Sequence, residues 1–216
     1  SEYTPFLKSY IAKNHISKIK PVLPAVTTSS QSVYVTGKYP KEHGIVGNGW
    51  YDSTDAEVKF WKQSNHLVGA EKVWDEAKKR NPTFTCAKMF WWYNMYSSAD
   101  WSITPRPLYP ADSRKVFDVH TQPMGMRDEL KRDLGEFPFP SFWGPRAGIA
   151  SSEWIAASAR WVEERHGPDL SLVYLPHLDY NLQRLGPDNP KITADIRLVD
   201  REAGKLIDAA RATDAD

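Results

Sequence analysis

Short apolar runs alternate along this chain with longer stretches of helical spacing. Val22-Leu23-Pro24-Ala25-Val26 reads as a short strand, and Ser29 to Val35 as a helical turn or two that Thr36-Gly37 ends. Val68 to Arg80 has helical period, with Val73, Trp74 and Ala77 on its apolar face and Glu71, Asp75 and Glu76 opposite. Asn81-Pro82 ends that helix, and Thr83 to Phe90 follows as a buried strand. Met126 to Gly135 predicts a short charged helix. Ser151 to His166 predicts a longer one, with Ser151-Ser152-Glu153 as cap and first turn and Trp154, Ala157, Ser158, Trp161 and Val162 as its core stripe. Leu172 to Pro176 reads as another buried strand, and Asn189 to Ala212 as a last helix exposing mixed charges. Strands alternating with helices predict an α/β fold, a mostly parallel sheet flanked by helices, in a single domain over residues 1–216.

The pattern breaks down between residues 90 and 145. Phe90-Trp91-Trp92-Tyr93-Asn94-Met95-Tyr96, Pro105-Arg106-Pro107, Tyr109-Pro110 and Phe137-Pro138-Phe139-Pro140 crowd rings and prolines together. Proline at this density disfavours long regular elements, so the stretch reads as a loop-rich cap or lid. Its rings either pack that lid or offer a stacking surface for a flat group. Arg106, Arg114 and Arg146 suit surface positions and, alternatively, phosphate contacts.

Composition narrows the class. Hydrophobic residues make up 41% and charged residues 25% of the chain, as in ordinary globular domains, and the net charge of +1 gives no reason to expect nucleic acid or an anionic membrane as partner. No apolar run reaches the ~18 residues of a transmembrane helix, and no leader peptide is visible; this assigns no compartment. The single cysteine, Cys86, excludes an internal disulfide and reads as an inert core thiol.

Candidate chemistry begins at Thr27-Thr28-Ser29-Ser30. A hydroxyl at a strand-to-helix junction faces the positive end of the helix and its free N–H groups, a place that suits a phosphate or a nucleophile. Helix capping is the other use of such residues. Thr36-Gly37 stands nine residues beyond Thr27, Tyr39-Pro40 follows, then His43-Gly44-Ile45 with Asn48 close behind. This spaced set resembles the nucleotide pyrophosphatase/phosphodiesterase branch of the alkaline phosphatase superfamily. The resemblance covers residues 1–50 and, in part, 165–190. It implies that Thr27 attacks phosphorus to give a covalent phospho-enzyme, activated by a metal or base, and that the Asn48 amide stabilises a non-bridging oxygen. Gly47-Asn48-Gly49 is also an ordinary turn sequence. His43 reads as a structural residue of its loop.

The second matching region is Leu172 to Pro187. In the family an aspartate, a histidine four residues on and a Gly-Pro follow a strand, and the aspartate and histidine bind zinc. Asp179 and Gly186-Pro187 match, whereas Gln183 stands at the histidine position. A glutamine carbonyl is a poorer zinc ligand than imidazole. His177 offers a substitute if the strand continues, since side chains two apart share a strand face; a histidine satisfied by a backbone partner is the other reading. The implied metal ligands are thus Thr27 and Asp179, with Gln183 and His177 as helpers, and the implied cofactors are two divalent ions, zinc by family.

Two family features have no counterpart: an initial strand ending in Asp-Gly, and a later Asp-His pair with a final histidine. The chain therefore reads as an internal piece of a larger enzyme. The resemblance implies a metal-dependent hydrolase of phosphodiester or pyrophosphate bonds with a small nucleotide-like substrate. Hydrolysis of a phosphonate or a monoester is one alternative. A non-catalytic module, binding a small ligand beside a degraded metal site, is another.

Overall fold

The computed structural model describes residues 2–213; residue 1 and residues 214–216 lie outside the described residues. In chain order the strands are β1 (Gly49–Asp52), β2 (Glu57–Phe60), β3 (Cys86–Met89), β4 (Trp101–Pro105), β5 (Val119–Gln122) and β6 (Leu170–Val173). The helices are α1 (Pro5–Ile11), α2 (Thr27–Thr36), α3 (Pro40–His43), α4 (Val73–Arg80), α5 (Met126–Leu134), α6 (Ile149–His166), α7 (His177–Leu185) and α8 (Lys191–Ala212). The main sheet has the order β5-β4-β3-β6, with β3 parallel to both β4 and β6 and only β5 antiparallel. β1 and β2 form a separate antiparallel hairpin. This is the mostly parallel α/β arrangement that the alternation of elements predicts.

β3 is buried at every residue, and its alternation divides the interior. Ala87 and Met89 join Ile103, Val119, Leu130, Trp154, Ile155 and Val162 on the α5–α6 side. Cys86 packs with Val35, Trp74 and Ala99 on the α2–α4 side. The Cys86 thiol is fully buried, and desolvation pushes its pKa up to about 12, as befits an inert core thiol.

Several elements differ from expectation. Val22 to Val26 forms no strand: Pro21 and Pro24 cannot donate to a ladder, and Leu23 is 84% exposed. α4 starts only at Val73, because the Asp75 carboxylate accepts from the Lys72 N–H and the Lys72 ammonium turns back to the Val68 carbonyl. Val73 is exposed, which leaves Trp74 as the buried anchor of that helix. Gly148, not a serine, caps α6; Ser151 and Ser152 lie on its buried face. α8 does not merely expose its charges: Asp195, Asp200 and Glu202 are buried. Asp200 accepts from the Phe6 and Leu7 N–H groups and so caps α1. Residues 90–145 are more regular than their prolines suggest, since they include β4, β5 and α5; Pro105 and Pro123 fall at strand ends, where they cost little.

Lys88 is an oddity of the core. Its side chain is buried from β3, donates to the Tyr93 carbonyl at 3.2 Å and lies over the Trp74 ring at 4.7 Å. No carboxylate pairs with it among the described residues, and burial lowers its pKa to about 7. The unfolded chain, with an ordinary lysine, therefore binds more protons between pH 7 and about 10.5, so stability rises with pH across that window. Lys88→Met is expected to raise the melting temperature at pH 7, by about 2–4 °C per kcal/mol of penalty removed. The gain should shrink by pH 10; scanning calorimetry at the two pH values reads both.

Candidate active site

α2 begins at Thr27, with Val26 as its extended N-cap and Gly37 in the left-handed conformation closing it (φ 64°). Thr28, the next residue, is fully buried and holds the junction together. Its N–H donates to Asn48 Oδ1 at 3.1 Å, and its hydroxyl is shared between Asn48 Oδ1 at 3.0 Å and the Gly47 carbonyl at 2.7 Å. The Tyr93 hydroxyl is hydrogen-bonded to the same threonine. One turn on, Gln31 accepts from the Trp92 N–H at 2.9 Å. Thr28 thus provides the bonded hydroxyl of the cluster, and Thr27 is left facing outward.

Thr27 reaches a cleft of about 380 Å³ lined also by Trp61, Trp92, Trp143, Tyr174, Asp179, Tyr180, Gln183 and Arg184. The Tyr174 phenol lies beside the Thr27 hydroxyl, and burial pushes its pKa up to about 12, so it stays neutral. Tyr180, raised by burial as well, has its hydroxyl beside Ser151 of α6. Asp179 and Gln183 stand one turn apart on α7, with the Gln183 amide donating to the Asp179 carboxylate at 2.7 Å.

Asn48 does not line the cleft. It is half-buried behind Thr28, and because its Oδ1 accepts twice from that residue, its Nδ2 is the group left uncommitted among the described residues. His177 departs from the extended-strand expectation: β6 ends at Val173 and α7 begins at His177 itself. Two residues on a helix span about 200°, so His177 and Asp179 point apart. The His177 ring is buried, with Nε2 3.1 Å from Asp195 Oδ1, while Asn181 donates to the other Asp195 oxygen at 2.7 Å. Burial lowers the His177 pKa against the pull of Asp195. His43 is a structural residue of its loop, accepting from the Ile45 N–H at 3.1 Å. Arg114 pairs with Asp112, Arg106 lines a neighbouring groove, and Arg146 is exposed. Arg184 went unnoticed in the sequence; it donates to the Ala147 carbonyl at 2.7 Å. Tyr174 was hidden in an apolar run, where a polar-tipped ring at the end of a strand was the available signal.

Besides the phenols of Tyr174 and Tyr180, the oxygen donors at the cleft are one aliphatic hydroxyl, one carboxylate and one amide, and no group of three His, Cys, Asp or Glu side chains is placed to hold a metal among the described residues. That set fits part of a two-metal centre and not the whole of one.

Residues 1–215 match the pattern of the type I phosphodiesterase / nucleotide pyrophosphatase family. The chain belongs to this family. Among curated family proteins, an uncharacterised pyrophosphatase/phosphodiesterase of Schizosaccharomyces pombe is 26% identical over 99% of the chain and 38% of its own length. Among solved structures, an inactive variant of murine ectonucleotide pyrophosphatase / phosphodiesterase 5 in complex with AMP is 18% identical, with a TM-score of 0.60 over 98% of the chain. Phosphonoacetate hydrolase of Sinorhizobium meliloti 1021, in complex with phosphonoacetate, is 15% identical with a TM-score of 0.64 over 96% of the chain. Both are likenesses of fold. The chain spans 38% of the curated relative and 48% of each structure, about half their length or less.

The Asp195 cluster ties α7, which carries Asp179, to α8. Asp195→Ala would leave the buried His177 ring and the half-buried Asn181 amide without their shared acceptor, at about 1–3 kcal/mol for the buried group and less for the other. Urea unfolding should show a loss of that order, and Asp195→Asn, which keeps one acceptor, should recover part of it.

Proposed function

We propose that this family member hydrolyses phosphodiester or pyrophosphate bonds in a small nucleotide-like substrate, with Thr27 as nucleophile and Asn48 as a donor to the developing oxyanion. The observation that carries the reading is the division of labour at the start of α2: Thr28 is fully bonded inward, whereas Thr27 opens on the cleft beside Asp179. Thr27 Oγ would bond to phosphorus as the P–O bond to the leaving group breaks, its proton ending on the departing alcohol. Water then breaks the Oγ–P bond and restores the hydroxyl. The first-turn N–H groups of α2 favour the negative charge of the phosphoryl group. The phenol of Tyr174 would orient Thr27 Oγ by hydrogen bond.

The family use of metals agrees with Thr27 and Asp179 as ligands, here of two zinc or similar divalent ions, with Gln183 the weaker helper and His177 committed to Asp195. Such ions supply Lewis acidity and lower the pKa of a bound hydroxyl. The murine relative in complex with AMP supports a nucleotide-like ligand.

A binding module without turnover is the second reading, favoured by the Gln183–Asp179 hydrogen bond, which occupies a carboxylate oxygen that a metal would need. Elemental analysis of the complete reading frame after dialysis separates the two: about two ions per chain, falling on Asp179→Ala, is expected for the hydrolase. In the same protein, Thr27→Ala should reduce hydrolysis of bis-p-nitrophenyl phosphate at least about 10³-fold, and Asn48→Ala about 10²–10³-fold. Unchanged turnover in Thr27→Ala would overturn the assignment.

A further inference from the structure

A groove of about 930 Å³, more than twice the volume of the Thr27 cleft, runs beside it. The two share Trp61, Trp143 and Gly144, so a single wall of indoles divides and joins them. The groove is also lined by Phe60, Tyr96 and Tyr109, which are 62%, 68% and 64% exposed. Three exposed rings gathered around one concavity offer stacking faces for something flat.

The wall is built to stay in place. Trp61 holds a left-handed backbone (φ 49°), with Trp92 4.7 Å and Phe60 5.8 Å from its ring. Gly49 makes room for Phe60, since a Cβ there would fall 2.6 Å from that ring. The hairpin β1–β2 therefore presents two aromatics to the boundary between cleft and groove.

Charge adds direction. Lys59 is spent on Asp52, Asp55 and Glu57, and Lys62 shares Glu57. The Arg106 guanidinium has no hydrogen bond or ion pair among the described residues. A planar fork with unused donors is suited to a phosphate or carboxylate.

We propose that this groove is a second subsite of the same active site, holding the part of the substrate beyond the reacting phosphorus: a flat ring stacked among Phe60, Trp61 and Tyr109, bearing a further anionic group at Arg106. The proposal rests on the phosphodiester reading above. A concave site that shares a wall with the cleft favours a small extended ligand over a protein or a membrane surface, which would meet a flat or convex patch.

Calorimetric titration of the complete reading frame with AMP and with diadenosine diphosphate tests it, in a Thr27→Ala background that prevents turnover. The dinucleotide is expected to bind about tenfold more tightly, the scale of one stacked ring and one charge-assisted contact. Arg106→Ala combined with Tyr109→Ala, both at exposed positions, should remove that advantage and leave AMP affinity unchanged. Equal affinities for the two ligands, or an advantage that survives both substitutions, would overturn the subsite while sparing the phosphodiester reading. Failure of both ligands to bind would overturn the two together.

Discussion

The hydrogen bonds around Thr28 hold the candidate site together. Three separate stretches converge there: the start of α2, the Gly47-Asn48 turn and the aromatic segment at Tyr93. Each contributes a polar group that would be costly to bury alone. The Asn48 amide oxygen accepts a first-turn N–H of α2, and the Thr28 hydroxyl ties that helix to the Gly47-Asn48 turn, so the adjacent Thr27 hydroxyl is left at the cleft.

The aromatic segment is held at some expense. Phe90, Tyr93 and Tyr96 all have positive φ, near 60°, which costs a bulky residue about 1–2 kcal/mol each. Polar anchors offset this strain: Asn94 donates to the Lys88 and Ile103 carbonyls, Gln31 accepts from Trp92, and the buried Lys88 ammonium reaches the Tyr93 carbonyl. The Lys88 side chain thus bonds to backbone one residue beyond Trp92, which lines the cleft.

Much of this was legible in the sequence, and for identifiable reasons. Gly37, Gly135 and the Trp154–Val162 stripe are local signals, and they mark α2, α5 and α6 within a residue or two. The family resemblance rested on spaced residues at helix ends and the turns between them, which need no regular periodicity to be read, and it agrees with the match over residues 1–215. What stayed hidden depends on contacts distant in sequence. Val22 to Val26 is apolar enough for a strand but lacks the N–H groups and a neighbour; β4 and β5 lie in a proline-rich region where the punctuation fell at strand ends. His177 and Asp179 share a strand face only if β6 runs on, and its early end at Val173 sends them apart. The acids of α8 looked like a solvated face because nothing local reveals that Asp200 caps α1 or that Asp195 meets His177.

Arg184, rooted on α7 one turn beyond Tyr180, donates to the carbonyls of both Pro145 and Ala147. Trp143 stands two residues before Pro145 along the chain, so a single guanidinium moors the helix that bears Asp179 to the segment that supplies one indole of the partition.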